Sequence, residues 1–420
     1  MVTNGWTHEN FQTLKISTVD GDRGKNYPKK TDYHSEGYSL FLGADNIADG
    51  KLNLYKCIFL TKEKHESMGK GIAREDDILL VMRGNGTGRS CIYRGEIKSF
   101  QARINSGLVI IRHNKEFTNI EFLHQLFQSP VIQKQFEGYM FGSAQPQLTI
   151  QLLKSLRFCI PKLEEQEKIA QILSTWDQAI STTEKLLENS QQQKKALMQQ
   201  LLAGEKRLLD ENGERFSGDW NSATLGEIGE IKSAGVDKKI VDGEIPIRLL
   251  NFTDVFKRNF IYSDELNHWV TAPISKVESC DVRKGDVFFT PSSETRDETG
   301  IPAVAAEDIP NCCYSYHIVR FRISEQWDLN FKAYAFTASN FRKQIDRLAD
   351  GSGQRYVVSQ DNFRSIIVHY PNFEEQVAIG KVLKSAEDEI HFLQRELDCL
   401  KQEKKALMQQ LLTGKRRVKV

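Results

Sequence analysis

The sequence predicts an α+β protein with an internal two-fold repeat. Two strand-rich, mixed α/β modules are separated by two long helices that pair antiparallel as a coiled coil. Three observations carry this. The run Lys194-Lys195-Ala196-Leu197-Met198-Gln199-Gln200-Leu201-Leu202 returns letter for letter at 404–412, an offset of 210, half of the 420 residues. The same offset relates Pro161 to Pro371 and Glu164-Glu165-Gln166 to Glu374-Glu375-Gln376, with nothing inserted or deleted between these anchors. Between 161–204 and 371–414, 19 of 44 positions agree, whereas the segments ahead of them share far less, so one scaffold element is duplicated and two modules have diverged. The expected order is module 1–158, helix 159–205, module 206–368, helix 369–415 and a short basic tail, 416–420.

Each repeat copy reads as one helix. A 4,3,4,3 spacing selects Ile169, Leu173, Trp176, Ile180, Thr183, Leu187, Ser190, Lys194, Leu197 and Leu201 in the first copy. In the second it selects Ile379, Leu383, Ala386, Ile390, Leu393, Leu397, Leu400, Lys404, Leu407 and Leu411. A sustained 3.5-residue period marks a coiled-coil seam, and Thr183 and Ser190 inside the first seam fix register at some cost in stability. Acidic pairs open each helix, Lys-Lys pairs lie near its end, and Gly204 and Gly414 follow as C-caps. About 40 residues span roughly 60 Å, more than one globular domain needs, so each helix requires a partner, and the other copy is the obvious one.

The modules repeat an order of elements. Asp77–Val81 and Gly285–Thr290 read as strands entered from a turn; Leu108–Ile111 and His317–Phe321 form a second matching pair. Helical stretches at 119–137 and 329–348 follow, then the turns Gly142-Ser143-Ala144-Gln145 and Gly351-Ser352-Gly353-Gln354. The connector 204–219 is polar and contains glycine, as a linker should.

Composition bounds the function. Apolar residues at 40% and charged residues at 27% describe a folded chain rather than a disordered one. No apolar run approaches the ~20 residues of a membrane span and no signal pattern opens the chain, so a cytoplasmic location is expected. The seven cysteines are scattered and form no CxxC, which points to reduced, buried thiols. Net charge is +1, so any nucleic-acid surface must be local.

The most conspicuous loop is Arg83-Gly84-Asn85-Gly86-Thr87-Gly88-Arg89-Ser90. It lacks the Gly-Lys-Ser/Thr ending of a P-loop and runs into a strand, whereas phosphate cradles open a helix. A plain hairpin turn and a hairpin whose tip touches DNA both stay open. Charge favours DNA: 83–112 holds Arg83, Arg89, Arg94, Lys98, Arg103 and Arg112 against the single acid Glu96. A solvated basic face is the alternative. A second basic loop places Arg23, Lys25, Lys29 and Lys30 among Tyr27 and Tyr33, diluted by Asp20, Asp22 and Asp32. In the second module Lys238, Lys239, Arg248, Arg296 and Arg355 are the candidates, set among many acids.

Catalysis finds little support. No two prolines are adjacent, which excludes the Asn-Pro-Pro-aromatic tetrad of amino-methyltransferases, and neither HExxH nor GxSxG occurs. His317 after Cys312-Cys313 reads as a strand histidine beside buried thiols rather than a Cys/His pair.

These residues resemble a known family, the specificity subunits of type I restriction-modification systems. The resemblance covers essentially the whole chain. It rests on Ile160-Pro161-Lys162-Leu163-Glu164-Glu165-Gln166, Tyr370-Pro371-Asn372-Phe373-Glu374-Glu375-Gln376, the two Lys-Lys-Ala-Leu-Met-Gln-Gln-Leu-Leu runs and the Trp220…Leu225-Gly226-Glu227-Ile228-Gly229 opening. The Lys284-Gly285-Asp286-Val287 and Gly-Ser-x-Gln turns fit as well, and only Trp6…Leu14-Lys15-Ile16 is a loose match. The resemblance implies two target recognition domains, each binding one half of a bipartite, asymmetric DNA site whose spacer follows from the helix pair. It implies a non-catalytic subunit that recruits two methylation subunits and, with them, restriction subunits. S-adenosylmethionine, ATP and Mg are then expected on those partners and none on this chain. The DNA-contact candidates on this reading are Arg23, Lys25, Lys29, Lys30, Arg83, Asn85, Arg89, Arg103, Gln145, Lys238, Lys239, Arg248, Arg296, Gln354 and Arg355. The seam and subunit-docking candidates are Ile169, Leu173, Ile180, Leu187, Leu197, Leu201, Ile379, Leu383, Ile390, Leu397, Leu407 and Leu411. The competing class is a non-catalytic coiled-coil scaffold whose modules bind proteins.

Overall fold

A computed structural model describes residues 5–95, 101–140, 147–256, 258–352 and 355–419. The fold is α+β, with two long helices, Leu163–Leu202 and Phe373–Leu411. Compactness divides the chain inside these helices, not at their ends. One unit runs to Glu184 and resumes at Glu396; the other is Lys185–Arg395.

The first unit holds a four-stranded antiparallel sheet in the order Ser17–Asp20, Leu108–Arg112, Asp77–Val81, Ser90–Tyr93. A second sheet orders Phe59–Leu60, Ser39–Leu42, Gln101–Ile104, and its last two strands run parallel. The strands Asp77–Val81 and Leu108–Arg112 are buried on both faces, which is why they read as unbroken apolar runs. Ile78, Leu80, Val109 and Ile111 face a core shared with Phe122, Phe127 and Phe136. Leu79, Val81, Leu108 and Ile110 face a second core shared with Leu40, Leu42 and Ile104.

The second unit repeats this plan. Its first sheet orders Gly229–Lys232, Val319–Ile323, Val287–Phe289, Pro302–Ala305, extended at the edge by Phe260–Ile261. Its second orders Trp269–Ala272, Ile245–Leu250, Ile309–Tyr314, Asp281–Val282, again with one parallel pair, Arg248–Leu250 beside Cys312–Tyr314. Val287 and Phe289 point to one core and Phe288 to the other.

Both predicted module helices are broken. Ile120–Gln128 stops at Ser129 and Pro130–Met140 follows, because the residue before proline is driven out of the helical region; Ser129 sits at ψ 153°. Leu329–Ala335 and Ser339–Leu348 are likewise separate. The strand expected at His317 begins at Val319. The connector is ordered: Phe216 N–H donates to the Leu208 carbonyl (3.1 Å) and Asp210 N–H to that of Glu214 (2.7 Å), closing a tight hairpin. No disulfide joins the cysteines among the described residues; Cys399 is exposed and Cys57 and Cys159 are half-buried, so the expectation of buried thiols does not hold for these three.

The expected seam lies inward along both helices. Ile169, Leu173, Thr183, Leu187, Ser190 and Leu201 are buried, as are Ile379, Leu383, Leu393, Leu397 and Leu411. Ile180, Lys194, Leu197, Ile390, Lys404 and Leu407 are half-buried. Within each unit the helical segments run antiparallel, and polar pairs fix them. In the first, Lys404 Nζ donates to Asp177 Oδ1 (2.6 Å), Lys401 pairs with Glu184 (2.8 Å), and Arg417 grips Glu165 through two bonds (2.7 Å each). In the second, Lys194 Nζ donates to Glu387 Oε1 (3.0 Å) and Arg207 grips Glu375 (2.5 and 2.6 Å). Adding 210 to Asp177 and Glu165 gives Glu387 and Glu375; adding it to Lys194 and Arg207 gives Lys404 and Arg417.

The Glu-Glu-Gln motif is thereby explained. Its second glutamate receives an arginine that trails the other helix copy. Its glutamine caps the module: Gln166 Nε2 donates to the Pro161 and Phe117 carbonyls (3.0 Å each) and its Oε1 accepts from Asn119 N–H (3.0 Å). Gln376 does the same at Pro371 (3.1 Å) and Asp328 (3.1 Å).

Candidate nucleic-acid interface

In each unit four segments meet at one end of the sheets. The first is the loop that follows the opening sheet strand. It can lie flat on a neighbouring turn only because it carries a glycine. A Cβ on Gly21 would stand 2.3 Å from the Asn105 carbonyl oxygen, and one on Gly235 would stand 2.3 Å from the Ser315 carbonyl carbon. The second segment is that neighbouring turn, 105–107 or 315–318. The third is the hairpin tip, 83–89 or 291–300, joined to the turn in the first unit by Met82 N–H donating to the Gly107 carbonyl (2.8 Å). The fourth bridges to the tip: Gln147 pairs with Arg83, and Val357 with Ser292. The sequence marks the first tip as a hairpin but, in the second, only Arg296 as a candidate, and Gly21 and Gly235 were missed; a glycine just past the first sheet strand in both modules was the available signal.

The first tip is a tight turn in which Gly84, Gly86 and Gly88 all take positive φ (81°, 90° and 91°). Asn85 is exposed at its apex. Arg89 folds back, donating from Nη2 to the Asn85 carbonyl (2.9 Å) and from Nε to that of Gly86 (3.3 Å). It therefore braces the loop. Arg83 is half-buried, and its Nε, shut off from solvent, has no hydrogen-bond partner among the described residues.

The rest of the basic run is dispersed. Arg103 is a correction to the DNA-contact reading: it is 2% exposed, and its guanidinium is consumed inside the module. Nε donates to His65 Nδ1 (3.1 Å), Nη1 to the Lys70 carbonyl (2.6 Å) and Nη2 to the Met68 carbonyl (2.9 Å). Burial, then the Arg103 charge, push the His65 pKa down, so a neutral imidazole accepts that bond. Arg112 grips the buried Asp77 through Nε and Nη2 (2.7 Å each), as Arg322 grips Asp286 in the other unit (2.7 Å each). Arg94 pairs with Asp76 and Glu121. Arg103 and Arg112 sit on strands of different sheets and Arg83, Arg89 and Arg94 lie outside the strands, so cations that are neighbours in sequence form no single face. Lys98, Gln145 and Gln354 lie outside the described residues.

In the first loop the acids act as internal acceptors. Asp22 accepts from Gly24 and Gly69 N–H (2.7 Å each), and Asp32 takes Lys29 N–H (2.7 Å) and pairs with Lys64 (3.2 Å). Arg23 pairs with Asp20 (3.1 Å), and Lys25, Lys29 and Lys30 remain exposed.

In the second unit the structure brings Arg296 and Arg355 together. The Arg296 guanidinium stacks over the Tyr356 ring (4.9 Å), and Arg355 donates from Nε and Nη2 to Ser292 Oγ (3.2 and 2.8 Å). Lys238 is exposed beside the 315–318 turn. Lys239 pairs with Asp237 (3.4 Å). Arg248 turns elsewhere, donating to the Ser263 carbonyl (2.7 Å) and stacking on Trp269. His317 lies on the turn and not in a strand, with its ring against Tyr316 (centroids 3.9 Å apart).

Comparison with known proteins bears on the two-fold plan of the chain. The model of the type I restriction modification DNA specificity domain matches twice, over residues 9–190 and 217–402. The type I restriction enzyme MjaVIII specificity subunit of Methanocaldococcus jannaschii is 26% identical over 425 residues, covering 98% of this chain and 94% of that one. Among solved structures, the type I restriction-modification S subunit from M. genitalium aligns with a TM-score of 0.59 at 16% identity, covering 98% of this chain and 99% of that one. The HsdS subunit from Thermoanaerobacter tengcongensis aligns with a TM-score of 0.51 at 19% identity, covering 99% and 98%. At such identities the structures speak for the fold.

Proposed function

We infer the function from one premise: this chain belongs to the type I restriction modification DNA specificity family. On that basis it is the DNA-reading subunit of a type I restriction-modification complex in the cytoplasm. Each module binds one half of a bipartite, asymmetric duplex site, and the helices set the spacer. The chain does no chemistry. It recruits two methylation subunits, which transfer a methyl group from S-adenosylmethionine to adenine N6, and restriction subunits, which use ATP and Mg. Their docking falls on the helix residues around the seam.

The observation that carries the reading is the contrast between a repeated scaffold and unlike tips. The same ionic pairs recur in both units, while one tip is Arg-Gly-Asn-Gly-Thr-Gly-Arg and the other combines Arg296, Tyr356, Ser292 and Arg355. Two readers of one architecture with different surfaces suit two different half-sites. Replacing 220–360 by the matching region of another family member tests it. One half-site should change and the other stay. If both change together, the two-reader reading fails. Duplex binding at two salt concentrations separates it from the protein-scaffold alternative, since phosphate contacts impose a steep salt dependence.

A further inference from the structure

We propose that the Tyr316–His317 turn is the base-reading element of the second module, with His317 as a specificity-determining residue. The inference rests on the DNA-binding reading above and assigns a residue to it. The turn joins the strands Ile309–Tyr314 and Val319–Ile323, and its backbone is held from the side. Val236 N–H donates to the Tyr314 carbonyl (2.9 Å) and Tyr316 N–H to that of Val236 (3.3 Å), with Gly235 allowing the approach. Ile318 N–H closes the turn on the Ser315 carbonyl (3.0 Å), and His317 N–H reaches Ser315 Oγ (3.3 Å). A backbone held at this many points presents its side chains in one geometry, which selective recognition requires.

The side chains are poised outward. Tyr316 is 49% exposed and His317 half-buried, and the two rings lie against each other. Among the described residues no group hydrogen-bonds to the ring nitrogens of His317. Burial, then the charges of Arg355 and Lys238, opposed by Asp237, hold its pKa below the usual histidine value. A neutral imidazole offers one donor and one acceptor, which suits a base edge, whereas a phosphate takes only donors. Arg355 and Lys238 lie close enough to act on it and supply the cations that phosphates need.

The matching turn of the first module is closed on itself. Gly107 N–H donates to Asn105 Oδ1 (2.8 Å), and Ser106 is bound through both N–H and Oγ to the Tyr27 hydroxyl (3.3 and 3.2 Å). Reading by this turn therefore belongs to the second half-site alone.

The test uses the full-length chain and selection of bound duplexes from a random double-stranded pool. The unmodified chain should enrich a bipartite sequence. His317→Ala should lower discrimination at one or two adjacent positions of a single half-site by about tenfold or more, leaving the other half-site as it was. Tyr316→Ala should act at the same positions more weakly. Lys238→Ala should weaken all sequences alike and flatten the salt dependence. His317→Gln, which keeps a donor and an acceptor, guards against misfolding: it should melt like the parent yet shift the preferred base. Unchanged motifs in the His317→Ala and His317→Gln chains, or an equal loss on every sequence, would overturn the inference and leave the DNA-binding reading intact. If the unmodified chain enriches no bipartite sequence, the DNA-binding reading falls and this inference with it.

Discussion

Asp177 in the first unit and Glu387 in the second hold the same place in the repeat, yet their surroundings differ. Asp177 accepts from Lys404 (2.6 Å) and from Gln125 Nε2 (2.5 Å), and its side chain is 40% exposed. Glu387 accepts from Lys194 (3.0 Å), the Tyr334 hydroxyl (2.6 Å) and Asn259, and its side chain is 8% exposed. The longer carboxylate reaches into the module and ties two of its elements to the helices. Burial pushes its pKa up, but Tyr334 and Lys194 more than reverse that, so it stays ionised. A repeat can therefore conserve which positions pair while varying how deeply the pair is sunk, and energy follows depth rather than pairing.

That comparison can be broken first at the seam, where the two halves are alike. Leu187 and Leu397 are repeat equivalents, 8% and 5% exposed. Leu187→Asp and Leu397→Asp should each cost about 5 kcal/mol, because each leaves a cavity and an unpaired charge in apolar surroundings. Urea unfolding of the full chain measures both. A large loss at one position and none at the other would end the equivalence.

The carboxylates should separate next. Glu387→Ala strands a largely buried Lys194 and leaves Tyr334 and Asn259 without their acceptor, at about 3 kcal/mol. Asp177→Ala, at a screened site, should cost about 1 kcal/mol. Equal losses would show that depth is not what distinguishes them.

Acid should then divide the units. Burial pushes His124 down to about 4, with Nε2 against the Ser90 carbonyl (3.2 Å), and His65 and His113 are also lowered by burial; all three lie in the first unit. Each folded pKa lies below the unfolded value of about 6.5. The unfolded chain therefore takes up protons first, so this stability is full above about pH 6.5 and lost as pH falls towards the folded pKa. Between pH 7 and 5 the first unit should lose about 2 kcal/mol through His124. In the second unit the lowered histidine is His317, which lies on a surface turn rather than in a core. Hydrogen exchange should show protection falling in first-unit peptides, and His124→Gln should remove most of the effect. Equal loss in both units would contradict it.

The smallest effects belong to the tips. Arg83→Ala and Arg296→Ala should each weaken duplex binding by about 1 kcal/mol and reduce the salt slope by about one if they meet phosphate. Salt titration of the two variants compares the modules directly. Unchanged affinity and slope for Arg83→Ala would return the first tip to a plain hairpin turn.

The long helices, their seam and the matched order of strands were legible in the chain because each rests on a local period. Leu173 and Leu383 declare an inward face by spacing alone, and the runs at Asp77–Val81 and Leu108–Arg112 declare strands buried on both sides. The helix break at Ser129 was also written locally, in Pro130, although a continuous helix was expected there. The candidate interface was legible only in part. Arg83, Arg89 and Arg103 look equivalent along the chain, but one stands half-buried at the tip, one braces the loop and one is spent on His65, Lys70 and Met68.

What the sequence by itself determined is the duplicated scaffold: its length, its register and its family, because helical period and repeat offset need no knowledge of distant contacts. Tertiary structure alone decided which half of the repeat each ionic partner comes from. Glu165 waits for Arg417 and Glu375 for Arg207, pairs separated by 252 and 168 residues, and no local pattern encodes a partner that far away. It also decided which cations face outward. A guanidinium in a strand goes to solvent or to the core according to the layer its sheet packs against, and that layer is assembled from elements elsewhere in the chain.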